Sequence, residues 1–147
     1  MHIYLGADHR GYNLKDELMN WLQARQISFT DFGAMDYDAE DDFNDYAKKV
    51  ATAIINNSDP NDFGILLCGS GQGMCMQANR FKGIRAAICL TPAEAIETRS
   101  HNNSNVLCLP ADDIASNDVY DIINAFMDTQ PLQDEKYQRR CRKLDED

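Results

Sequence analysis

A chain of 147 residues suits one compact domain, because hydrophobic cores of this size need no partition. Hydrophobic residues at 44% and charged residues at 26% exclude a disordered chain. The 14 Lys and Arg against 24 Asp and Glu leave a net charge of −10, which repels phosphate backbones and anionic membranes and argues against nucleic acid as a partner.

In chain order, HIYLGA is a short apolar run ending at a polar cluster and predicts a buried strand. NLKDELMNWLQARQ follows, with Leu14, Leu18, Trp21 and Leu22 at i, i+4, i+7 and i+8, the apolar stripe of an amphipathic helix. ISFTDFG predicts a second strand, Asp36 to Asp45 a solvated acidic loop, and DYAKKVATAIINN a helix with Ala47, Val50, Ala51, Ile54 and Ile55 on one face. The alternation continues through strand FGILLCG, helix GQGMCMQANRF, strand GIRAAICL, helix PAEAIETRSH and strand NVLCLP, and two further helices close the chain. Five short strands alternating with helices require parallel βαβ units, hence an α/β fold: a three-layer αβα sandwich around a Rossmann-like five-stranded parallel sheet. The last helix, with Lys136, Arg139, Arg140, Arg142 and Lys143 within eight residues, is expected to project from the body.

No window reaches the roughly 18 apolar residues of a membrane span, and MHIYLGADHRGY has no basic region leading into an apolar stretch, so the expectation is a cytoplasmic protein. Cys68, Cys75, Cys89, Cys108 and Cys141 are odd in number and lack a CxxC pair, as free thiols in a reducing compartment would be. His2, His9 and His101 are scattered, so no metal site is expected. An EF-hand starting at Asp36 would put Asp41 at the obligatory Gly and Ala47 at the obligatory Glu, which removes the calcium reading.

In open α/β sheets ligands bind beyond the carboxyl ends of the strands. The first strand ends in Ala7-Asp8-His9-Arg10-Gly11 and the third in Cys68-Gly69-Ser70-Gly71-Gln72-Gly73. Gly69, Gly71 and Gly73 ahead of a helix let backbone N–H groups turn toward an anion. The loop is neither a dinucleotide fingerprint, with Met74 where a Gly is needed, nor a Walker loop, with Ser70 where Lys is needed. Cys68 would also have to be Gly for a nucleophile elbow around Ser70. A thiol beside such amides can act as nucleophile or base, although a strand-end Cys is as readily a packing residue. Asp8 and His9 suit hydroxyl or phosphate contacts, and His101 suits acid or base work near neutral pH.

DHRGYNLK, GILLCGSGQGMCMQANRFKGIRAAIC and TRSHNNSNVL, in this order, resemble the sugar-phosphate isomerase family that contains type B ribose-5-phosphate isomerases and galactose-6-phosphate isomerase subunits. The resemblance implies a cofactor-free aldose–ketose isomerase, dimeric or tetrameric, with sites built from two subunits. It implies Cys68 as the base that moves a proton between C1 and C2 and His101 as the ring opener. Ser70, where the family usually has Thr, and the amides of Gly69 to Gly73 would hold the enediolate. Asp8 and Asn102 would hold ring hydroxyls, and His9, Lys136 and Arg140 the phosphate. A subgroup uses a Glu after the third loop Gly as base; here that position is Met74. Three positions depart from the family pattern: Asp112 stands where an Arg is usual, Lys136 replaces the first of two tail arginines, and Asn44 replaces a Pro. An acid at Asp112 is expected to repel a phosphate, which keeps open an isomerase of another sugar phosphate or a sugar-phosphate binder without turnover. A cysteine hydrolase has no further motif behind it.

Overall fold

The computed structural model describes residues 1–146. Its elements are β1 (Ile3–Ala7), α1 (Tyr12–Ala24), β2 (Phe29–Asp31), α2 (Phe43–Asn57), β3 (Phe63–Cys68), α3 (Gln72–Ala78), β4 (Ala86–Ile88), α4 (Pro92–Asn102), β5 (Val106–Pro110), α5 (Ser116–Asp128) and α6 (Glu135–Leu144). The strands form one parallel sheet in the order β2-β1-β3-β5-β4. This is the expected α/β sandwich. None of the described helices is long and apolar enough to cross a membrane.

Side chains alternate across the sheet with the strand period of two. Leu5, Ile65, Leu67, Leu107 and Leu109 pack with α1, α5 and Ala95 of α4. Tyr4, Leu66, Cys68, Val106 and Cys108 pack on the opposite face with α2 and α3. Both faces of the central strands are covered, which is why they read as unbroken apolar runs. Leu14, Leu18 and Leu22 of α1 are buried as predicted, each contributing about 1.5–3 kcal/mol. Trp21 is half-buried instead, lying at the margin of that face and stacked on Tyr120 at 4.9 Å. Ile55 falls off the apolar face of α2 and is 40% exposed. The edge strands β2 and β4 shrink to three residues each, because each has a single neighbour to pair with.

Two expectations need correction. The acidic loop is not solvated throughout: the side chain of Asp41 is only 6% exposed, because it turns inward onto His9. The C-terminal helix α6 buries no residue, as a projecting helix would, yet it is tied back to the body. Tyr137 stacks on His101 with ring centroids 4.9 Å apart, and Arg85 pairs with Asp145 at 2.7 Å.

Lys15 links the fold to the site. It is 1% exposed, and its Nζ donates to both oxygens of Asp31 at 2.8 Å and to the Ala34 carbonyl at 2.6 Å. The ammonium thus clamps the end of β2 and the start of the acidic loop onto α1. A Lys15→Met substitution leaves the Asp31 carboxylate without its partner and is expected to cost about 3–5 kcal/mol. A lower denaturant midpoint with unchanged slope would register this; a loss under about 1 kcal/mol would show that the clamp is dispensable.

From β1 the chain passes outward to β2 and returns on the other side as β3. The order therefore reverses between β1 and β3, and a crevice opens beyond their carboxyl ends, the position where such sheets bind ligands.

Candidate active site

Both walls of that crevice come from the segments singled out in the sequence. Ala7 pairs with Leu67, and the Asp8 amide donates to the Leu67 carbonyl at 3.2 Å, so Asp8 and His9 emerge beside Cys68. The strand-5 turn joins them, since the Ala111 amide donates to the Cys68 carbonyl at 2.8 Å and the Asp112 amide to the Gly69 carbonyl at 3.1 Å.

Cys68 ends β3 and is 5% exposed, on the α2/α3 face. The next residues turn sharply: Gly71 adopts φ 74°, a left-handed conformation that favours glycine, and caps α3. The Ser70 hydroxyl accepts the Gln72 amide at 3.3 Å. Among the described residues, the amides of Ser70 and Gly71 meet no protein acceptor, which leaves two donors beside the thiol. Gly73 lies in the first turn of α3 under the ring of Phe43, and Met74 is fully buried.

Asp8 shapes its own turn by accepting the amides of Arg10 at 2.9 Å and Gly11 at 3.1 Å. Burial outweighs these bonds and pushes its carboxyl above the ordinary value. His9 is held more firmly than a surface histidine. Its Nδ1 lies 2.7 Å from Oδ1 of Asp41, which also accepts the His9 amide at 3.2 Å. Among the described residues, the second oxygen of Asp41 is buried without a hydrogen-bond partner. Burial and the nearby Asp41 carboxylate push the neighbouring Tyr46 hydroxyl up to about 12. Reading the acidic stretch as a charge run hid Asp41, since no local pattern separates one inward-facing Asp from its solvated neighbours.

The remaining candidates lie elsewhere. His101 and Asn102 occupy the last turn of α4, which carries the chain back to the amino ends of the strands before β5. Cys68 closes the carboxyl end of β3, whose six residues span about 17 Å. Within one chain, Cys68 and His101 are thus at opposite ends of the sheet. His101 stacks on Tyr137 and borders a cavity of about 340 Å³ between α4 and α6. Lys136 Nζ and Arg140 Cζ lie 4.8 Å and 5.9 Å from the Tyr137 ring centre, and among the described residues neither has a carboxylate partner. The predicted residues therefore fall into two groups at opposite ends of the sheet. One comprises Asp8, His9, Cys68, Gly69, Ser70, Gly71 and Gly73; the other comprises His101, Asn102, Lys136 and Arg140.

A family model described as Ribose/Galactose Isomerase matches residues 3–144. The chain belongs to the ribose/galactose isomerase family. Within that family it is 36% identical over 143 residues to a probable ribose-5-phosphate isomerase B of Mycoplasma genitalium, covering 97% of this chain and 93% of the relative. The crystal structure of a Thermotoga maritima ribose 5-phosphate isomerase superimposes with a TM-score of 0.92 at 42% identity, over 99% of this chain and 98% of that one. The M. genitalium ribose-5-phosphate isomerase B, determined with bound ribulose-5-phosphate, gives 0.91 at 36% identity over 97% and 93% of the two chains.

Proposed function

We propose that this one-domain chain is an aldose–ketose isomerase that interconverts ribose 5-phosphate and ribulose 5-phosphate. The observation that carries the reading is the crevice between β1 and β3, where Cys68 meets the two unpaired amides, in a fold whose relative holds ribulose-5-phosphate. In the aldose direction the Cys68 thiolate takes the proton from C2 of the open-chain sugar. The C–H electron pair forms the C1=C2 bond, and negative charge moves onto O1, where the Ser70 hydroxyl and the loop amides stabilise it. The proton returns from the thiol to C1, the O2 hydroxyl proton passes to O1, and C2 becomes the carbonyl. No electrons leave the sugar, so the cycle balances without a redox partner.

Ring opening needs an acid–base group, and His101 of the same chain is too far away to supply it. A second copy that brings its α4–α6 end to the crevice supplies His101 and Asn102 together with the cations Lys136 and Arg140. The reading therefore entails a homodimer or tetramer with shared sites. Five free thiols fit a cytoplasmic location.

Following ketose formation from ribose 5-phosphate, with a panel of other aldose phosphates beside it, tests the substrate. Conversion of a hexose phosphate in preference to ribose 5-phosphate would overturn the assignment. In the same assay Asp41→Asn is expected to raise KM about 3- to 10-fold, since an acceptor remains for His9 but the charge is lost. An unchanged KM would separate His9 from phosphate binding.

A further inference from the structure

We infer that Arg10, positioned by Asp112, is a phosphate-recognising residue of this site; the inference rests on the isomerase reading for its substrate but not for its geometry. Arg10 leaves the end of β1 and reaches across β3, its guanidinium paired through Nη2 with the Asp112 carboxylate on the far wall of the crevice. On the way it lies flat against Gly69, so close that a Cβ there would fall 2.5 Å from Cζ. Gly69 thus has a second role besides the loop turn, which is to leave room for this side chain directly after Cys68.

The three loops are braced to one another. The Arg10 amide binds Asp8, the Asp112 amide binds Gly69, and the side-chain pair closes the span from β1 to β5. Asp112 engages one end of the guanidinium, while Nε and Nη1 face Gly69 at the mouth of the crevice, with the arginine side chain 57% exposed. An arginine held at one nitrogen keeps its remaining N–H donors in a fixed plane, preorganised for an anion such as a phosphate. The acid that charge alone made an obstacle to phosphate therefore serves to aim a cation, and two donors stand next to the loop amides rather than a repulsive carboxylate.

Inorganic phosphate is the probe that does not depend on turnover. Its binding, measured by calorimetry and by thermal shift, is expected to weaken about tenfold or more in Arg10→Met and to be only partly restored by Arg10→Lys, which lacks the fork. Kinetically the loss should fall on KM for ribose 5-phosphate rather than on kcat. Asp112→Ala should reproduce part of the KM increase and Asp112→Glu should reverse it, as expected of a positioning carboxylate. Arg10 is largely exposed, so the variant retains the fold, and its melting temperature verifies this. Equal phosphate affinity in Arg10→Met and the parent protein, or no phosphate binding by the parent, overturns the inference. Arg10-dependent phosphate binding without ribose 5-phosphate turnover would instead overturn the isomerase reading and leave Arg10 standing.

Discussion

Cys68→Ala is expected to lower interconversion of ribose 5-phosphate and ribulose 5-phosphate by about two to four orders of magnitude, the usual contribution of a positioned base. Cys68 ends β3 at the carboxyl edge of the sheet, and the unpaired amides of Ser70 and Gly71 follow it in the loop. Removing it leaves those donors and the phosphate contacts in place. The variant should therefore still bind inorganic phosphate while losing exchange of the C2 proton with solvent. Cys68→Ser keeps the volume but supplies a far weaker base at neutral pH, and should be comparably impaired. Cys75 is the informative control. A hydrogen bond with Cys108 holds its thiol below the ordinary value. Its Sγ lies 3.5 Å from the Ala86 carbonyl on β4, away from the crevice, and Cys75→Ala is expected to retain turnover. Full activity in Cys68→Ala, or its loss in Cys75→Ala with the fold intact, would reassign the base.

The fold was legible because its signals are local and repeated. Apolar runs bounded by turns mark β1, β3 and β5, and the spacing of Leu14, Leu18 and Leu22 marks α1. Strand order was not legible, since nothing in a single strand says which neighbour it takes, and the β1/β3 crevice follows only from that order. The glycine loop and Asp8-His9 were visible as strand ends. Asp41 and the Arg10–Asp112 pair were not, because each depends on partners 32 and 102 residues apart in the chain. Charge counted along the sequence gave Asp112 the sign of an obstacle. In three dimensions its carboxylate pairs with Arg10 instead.

The separation of Cys68 from His101 within one chain leads to the other large effect. Cys68→Ala and His101→Ala homo-oligomers should each be nearly inactive, because every site lacks either its base or its ring opener. If the site joins the crevice of one copy to the α4–α6 end of another, unfolding and refolding an equimolar mixture creates hetero-oligomers. In each mixed pair one site combines the intact Cys68 of the His101→Ala chain with the intact His101 of the Cys68→Ala chain, and the other site carries both defects. Random pairing makes half of the dimers mixed, and half of their sites are whole, so about a quarter of parental activity should return. The recovered activity should show the parental KM, because a restored site contains every residue of the original. A site confined to one chain predicts no recovery at any mixing ratio, since no refolding could unite the two residues. Recovery also separates the two roles of His101: if its stack on Tyr137 only anchored α6, His101→Phe would keep the stack and the activity. Loss of activity in His101→Phe, with recovery on mixing with Cys68→Ala, places the imidazole in a shared site.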